Sequence, residues 1–200
     1  MSFSFDAVLV AGGRSSRMGQ DKAFLILQGR PLWWHQIDLL RSTGAANLYL
    51  AARADQSWDS LSDEIQLVAD PEDEDIGPIG AITRTLVRSC KPLLVLAVDL
   101  PLMTTQFIAE RLISHAASYA GVVPRVAERF EPLCAVYTLA MLPAMQGAIK
   151  SGRYALQPIL TECINSGVAC AVDVLPAETA LFRNANTKSE WDAIVATGSQ

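Results

Sequence analysis

The sequence predicts an α/β fold: a doubly wound, mostly parallel sheet in a three-layer arrangement, with helices on both faces and some antiparallel strand in the C-terminal half. Three observations point there. Short runs apolar at every position, such as residues 7–11 (AVLVA) and 93–98 (LLVLAV), suit strands buried on both faces. Over the first 120 residues these runs alternate with stretches of helical period. Half of the 200 residues are hydrophobic and 18% are charged, which supports a sizeable core and excludes a disordered chain.

After the run at 7–11 comes a glycine-rich loop. Pro31 opens a periodic stretch over residues 31–41, with Leu32, Trp33, Gln36, Ile37 and Leu40 on one helical face and Gly44 placed to end it. Residues 47–52 (NLYLAA) and 65–69 read as strands, residues 79–89 as a helix, and 93–98 as the most apolar strand. A helix over 104–118 and a strand over 121–124 complete the regular part, with right-handed crossovers expected throughout. Further on, the polar stretch 125–130 (RVAERF) suits a hairpin or loop, and 133–137 a strand that can run antiparallel. Helices are expected over 139–150 and 154–165, a strand over 168–174 and a terminal helix over 189–196. Trp33 and Trp34 read as helix packing with one contact at a rim. His35 and His115 read as surface or packing residues, Cys134 and Tyr137 as strand core. Residues 70–75 (DPEDED) carry five acids among six positions, as a solvated loop does.

Bulk charge narrows the function. With 16 basic and 21 acidic residues the net charge is −5, so nothing in the overall field favours nucleic acid or an anionic membrane. No stretch approaches the ~20 apolar residues of a membrane span. The start, MSFSFDAVLVAGG, lacks the basic end and long apolar run of a secretion signal. The four cysteines, Cys90, Cys134, Cys163 and Cys170, form no C-x-x-C pair and fit reduced thiols. The expected location is the cytoplasm.

In open parallel sheets ligands bind beyond the carboxyl ends of the strands, so the residues next after each strand carry the chemistry. The first strand leads into Gly12-Gly13-Arg14-Ser15-Ser16-Arg17-Met18-Gly19-Gln20-Asp21-Lys22, with three glycines, two serines and three cations. Glycines let backbone N–H groups close on an anion. Arg17 can clamp phosphate oxygens with two parallel bonds, and Lys22 supplies a mobile point charge. The loop has neither the G-K-[ST] ending of a Walker A loop nor the G-x-G-x-x-G dinucleotide pattern. Asp99 ends the most apolar strand. It could hold Mg²⁺, which takes one or two carboxylates plus phosphate oxygens, or it could cap the next helix, a role open also to Pro101 and Thr104. Asp70, at the end of the third strand, could meet a ribose hydroxyl or a base amino group, or belong only to the acidic loop. The bend Gly77-Pro78-Ile79-Gly80 leads into a helix whose N-terminus could face the ligand. No Ser-His-Asp or Cys-His arrangement is visible.

The motif GGRSSRMGQDK resembles the L-A-G-G-x-S-x-R-M-G-x-D-K pattern of the pyrophosphorylase-type nucleotidyltransferases, and is most similar to that of the molybdenum cofactor guanylyltransferases (the MobA family). Gly29-Arg30-Pro31-Leu32, Asp70 with Gly77-Pro78-Ile79, Val98-Asp99-Leu100-Pro101, Arg129-Phe130-Glu131-Pro132-Leu133 and Asn184-Ala185-Asn186-Thr187 extend the likeness over nearly the whole chain. The resemblance implies a Rossmann-like single domain over 1–200, with a nucleotide-binding half at 1–120 and an acceptor-substrate half at 121–200. It implies transfer of GMP from GTP to molybdenum-molybdopterin with release of pyrophosphate, and Mg²⁺ as cofactor. Val10, Ala11, Gly12 and Gly13 would line the nucleotide, and Lys22 would bind its phosphates. Asp70 would contact the nucleoside and Asp99 would hold the metal. Arg17, Lys22 and Asp99 would form the catalytic set, while Arg129, Asn184 and Asn186 would face the acceptor. Transient contact with cofactor-synthesis proteins or molybdoenzymes is implied too. One position departs from the pattern: Ala51 stands at or near a place where many members carry a nucleoside-contacting Asn. Rival readings are a cytidylyltransferase for molybdopterin, a nucleotidyltransferase for a sugar or polyol phosphate, and a catalytically silent carrier of nucleotide or pterin.

Overall fold

The computed structural model describes residues 3–13, 21–58, 61–71, 76–117, 120–184 and 188–197. Strand β1 (Asp6–Val10) is followed by a small antiparallel hairpin of β2 (Ile26–Leu27) and β3 (Arg30–Pro31), then by helix α1 (Leu32–Ser42) and strands β4 (Leu48–Arg53) and β5 (Ile65–Asp70). Helix α2 (Pro78–Ser89) leads to β6 (Leu93–Ala97). Helix α3 (Thr105–Phe107) runs through a π-helical stretch (Ile108–Ile113) into α4 (Ser114–Ala116). Strands β7 (Gly121–Val126), β8 (Arg129–Phe130) and β9 (Cys134–Tyr137) precede α5 (Leu142–Lys150), α6 (Leu156–Asn165), β10 (Ala169–Asp173) and α7 (Lys188–Thr197).

The main sheet has eight strands in the order β10-β7-β9-β6-β1-β4-β5, with β8 paired to β7. All pairs are parallel except those made by β9 and β8, as expected for the C-terminal half. Alternate residues feed two cores. Ala7, Leu9, Leu50, Leu94 and Leu96 pack toward α1, the π-helical stretch and α7, while Val8, Tyr49, Leu93 and Val95 pack toward α2, α5 and α6. These are the two outer layers of the three-layer expectation. Helix α1 buries Leu32, Trp33, Gln36, Ile37 and Leu40, the face read from periodicity. Trp33 meets Trp58 edge-on at 5.6 Å, and Trp34 lies under the Arg30 guanidinium at 4.0 Å. Asp6, 1% exposed, accepts from Asn47 and Ser89, so this buried acid anchors the fold.

The polar stretch at 125–130 forms a hairpin: Val126 pairs with Arg129, and Ala127 turns the chain with φ +51°. Periodicity could not signal β2, β3, the 3₁₀ turn Lys22–Phe24 or the 3₁₀ helix Pro176–Phe182, which are too short for a repeat to show. The four cysteines form no disulfide, and among the described residues no helix is long and apolar enough to cross a membrane.

On the edge strand, the Arg125 Nε donates to Asp173 Oδ1 at 2.7 Å across the β7–β10 pairing. That bond holds the Asp173 carboxyl below its ordinary value of 3.8. A depressed acid stabilises the fold above its unfolded value and loses that contribution as pH falls through the folded one. Asp173→Asn is therefore expected to lower the thermal midpoint slightly at pH 7 and to match the parent at pH 2, measured by circular dichroism melts. The pair is exposed, so the effect is small and fades in salt.

Candidate active site

The chain runs from β1 to β4 and β5 on one side, then returns to place β6 on the other side of β1. This reversal opens a crevice beyond the carboxyl ends of β1 and β6, where a doubly wound sheet binds its ligand. A cavity of about 790 Å³ occupies that place. Its walls are the strand ends and the residues just beyond them: Val10, Ala11, Gly12 and Gly13 after β1, Arg53, Ala54 and Asp55 at β4, Asp70 and Pro71 at β5, and Ala97, Val98 and Asp99 at β6. Asp21 and Lys22, the α2 residues Pro78 and Ala81 with the preceding Gly77, and Leu133 complete it. The positive end of a twelve-residue helix thus faces the cleft.

Lys22 and Asp99, 77 positions apart, form an ion pair here, Nζ to Oδ2 at 3.1 Å. Asp21 accepts from Ala23 N at 3.0 Å, caps the 3₁₀ turn, and so fixes the start of the segment that carries Lys22. Gln36 of α1 donates to Leu100 O at 2.9 Å and pins the chain just beyond Asp99. The next helix is capped by Thr104, whose hydroxyl accepts from Phe107 N at 3.2 Å. The capping reading of Asp99 therefore falls, and its carboxylate faces the cleft lysine instead.

Asp70 pairs with Arg84 of α2, and a Cβ on Gly12 would stand 3.1 Å from Asp70 Oδ2. A side chain there would press on the Asp70 carboxylate, which would have to give by a few tenths of an ångström. Burial pushes the Glu131 carboxyl above the usual carboxylate range, with Arg129 drawing it down and Asp99 raising it further. The segment before β9 thus carries an acid that feels the charge of Asp99, within the Arg129–Leu133 stretch that extends the family likeness.

The fold brings Val10, Ala11, Gly12, Gly13, Lys22, Asp70 and Asp99 to one cleft. Arg17 and Asn186 lie outside the described residues. Arg129 and Asn184 are exposed and do not line the cleft. Ala51 is 1% exposed and packs into the core on the α2 side. The wall at β4 is built by Arg53 and Ala54, so Arg53 is the cleft residue that sequence reasoning missed at this strand. Its one signal is its place at the carboxyl end of the strand, which it shares with Asp70.

The family model of the MobA-like NTP transferase domain matches residues 7–182. The chain belongs to that family. It is accordingly a nucleotidyltransferase. A molybdenum cofactor guanylyltransferase of Xanthomonas euvesicatoria pv. vesicatoria is 31% identical over 191 residues, covering 94% of this chain and 93% of the relative. A probable molybdenum cofactor guanylyltransferase of Opitutus terrae is 31% identical over 153 residues, with 74% of each chain covered. Among solved structures, molybdopterin-guanine dinucleotide biosynthesis protein A of Archaeoglobus fulgidus superposes with a TM-score of 0.77 at 19% identity, covering 97% of this chain and 98% of that one. The 2-C-methyl-D-erythritol 4-phosphate cytidylyltransferase of Thermus thermophilus gives 0.71 at 16% identity, over the full length of both.

Proposed function

We propose that this chain is a molybdenum cofactor guanylyltransferase: it transfers GMP from GTP to molybdenum-molybdopterin and releases pyrophosphate. The observation that carries this reading is the convergence of Lys22, Asp99 and the Gly12–Gly13 backbone at one crevice, in a chain whose curated relatives bear that name. The terminal phosphate of molybdopterin attacks the α-phosphorus of GTP, and the bond to the pyrophosphate oxygen breaks in line. A phosphate is already largely deprotonated at neutral pH, so no strong base or protein nucleophile is required. The barrier is the meeting of two anions, and the chain's task is to hold and neutralise them.

Lys22 would engage the triphosphate, as would Arg17. Asp70, paired with Arg84, would take a donor of the nucleoside. Asp99 would hold Mg²⁺. The donor set suits that ion, which keeps several waters and needs only one or two carboxylates beside phosphate oxygens; no group of three or more metal-ligating side chains occurs among the described residues. The metal would supply positive charge against the charge that builds on the leaving pyrophosphate. Arg129, Asn184 and Asn186 would face the pterin acceptor from the 121–200 half. The free thiols suit a reducing cytoplasm.

The test is incubation of the purified protein with Mg²⁺, molybdenum-molybdopterin and either GTP or CTP, with measurement of the product mass and detection of pyrophosphate. The guanine dinucleotide and pyrophosphate are expected. A cytosine dinucleotide would reassign the base, and binding without pyrophosphate would make the chain a carrier.

A further inference from the structure

Arg53, at the end of β4, reaches two pieces of chain that sequence keeps far apart. Its Nη1 donates to Gly13 O at 3.0 Å and to Gly12 O at 3.3 Å, 40 and 41 positions away. Its Nη2 lies 3.4 Å from Asp21 Oδ2, and its Nε donates to Asp55 Oδ1 at 2.8 Å. Gln56 runs beside it: Nε2 donates to Ala11 O at 3.0 Å and to Asp21 Oδ2 at 2.6 Å, while Oε1 accepts from Arg53 N at 2.8 Å. One guanidinium and one carboxamide thus tie residues 11–13, where the glycine segment begins, to Asp21, which caps the turn bearing Lys22.

We infer that Arg53, seconded by Gln56, is a positioning residue for nucleotide transfer, bracing the Gly12–Gly13 backbone and the Asp21–Lys22 turn in one fixed relation. Three physical points support this. A peptide unit is planar and trans, so a guanidinium on Gly12 O aims the Gly13 N–H the opposite way and fixes its direction. Two carboxylates, the part-buried Asp21 and the exposed Asp55, pair with the guanidinium, so its charge is already engaged within the protein and it serves as a brace for the loop. The side chain is only 22% exposed, and its rigid fork suits several fixed acceptors where an ammonium would not. The inference rests on the cleft being a nucleotide site, and goes beyond it by naming what holds the loop ready.

The experiment compares the full chain with Arg53→Ala, Arg53→Lys, Asp21→Asn and the double variant Arg53→Ala/Asp21→Asn. Amide hydrogen exchange is read without nucleotide, and GTP affinity with Mg²⁺ by calorimetry. Arg53→Ala is expected to speed exchange in peptides covering residues 11–13 and 21–25 and to weaken GTP roughly tenfold, with exchange in β6 and β7 unchanged. Arg53→Lys is expected to leave most of the loss in place. The double variant is expected to lose less than the product of the two single losses, because the residues act as a unit. Unchanged local exchange with GTP affinity within twofold of the parent would overturn the inference. So would full rescue by lysine, or faster exchange spread over the whole sheet. If the parent binds no nucleotide, the functional reading fails, and the exchange data alone decide whether the brace exists.

Discussion

Asp99→Ala and Lys22→Ala are each expected to slow pyrophosphate release by at least about 100-fold, the typical cost of one preorganised charged group in a transition state. The two side chains meet at 3.1 Å in the crevice between β1 and β6, the place proposed for the phosphates, where charge would be neutralised as pyrophosphate departs. Losing either takes away more than half of a pair. Without Asp99 the cleft loses the carboxylate proposed for the metal, and without Lys22 it loses the cation proposed for the triphosphate. Both act on one charge distribution, so the double variant is expected to be little slower than the worse single variant. Neither residue belongs to the apolar cores, and both variants are expected to keep the parent's circular dichroism spectrum with a thermal midpoint lower by only a few degrees. Single-turnover measurement with GTP, Mg²⁺ and molybdenum-molybdopterin decides the matter. Near-native rates in both variants would mean that the phosphates sit elsewhere.

The second large effect concerns stability. Leu96→Ala is expected to destabilise the protein by about 3 kcal/mol, within the ~2–5 kcal/mol found for leucine truncation in a closed core. Leu96 is fully buried, lies opposite Leu9 of β1 and Cys134 of β9, and packs toward the α1 side. It sits between strands on both sides, so the cavity left behind cannot collapse by movement of a loop. For a chain of this size the thermal midpoint should fall by roughly 10 °C. Urea unfolding measures the change. A loss under about 1 kcal/mol would show that the neighbours close the gap. At low temperature the folded fraction should still turn over at nearly the parental rate, because Leu96 does not line the cleft. That contrast separates the residues that build the rim from those that use it.

Much of the fold was legible because its signals are local. The β6 run is apolar at each position and is buried at each. The α1 face appeared in the spacing of five residues, and all five are buried. Short elements were not legible, because a two-residue strand or a three-residue turn exists only by virtue of its partner. Within the site, the glycines, Lys22, Asp70 and Asp99 announced themselves by their place at or after strand ends, a position that carries chemistry in this kind of sheet. Glu131 does follow a strand, β8, but that strand is two residues long and its end is not readable before the chain folds. Arg53 does end a strand, yet an arginine there looks like a solvated charge until the chain folds.

The linear order of residues thus decided the layers, the buried faces and which strand ends bear functional groups, since period and polarity depend only on neighbours along the chain. Tertiary structure alone decided the pairings. It set Lys22 against Asp99 and gave the helix cap to Thr104. It turned Ala51 into the core, and it drew Arg53 across to the carbonyls of Gly12 and Gly13. The physical reason is one of range. A hydrogen bond or ion pair acts over a few ångströms, and residues 40 to 77 positions apart come that close only when the sheet's reversal at β1 brings their strand ends to the same rim.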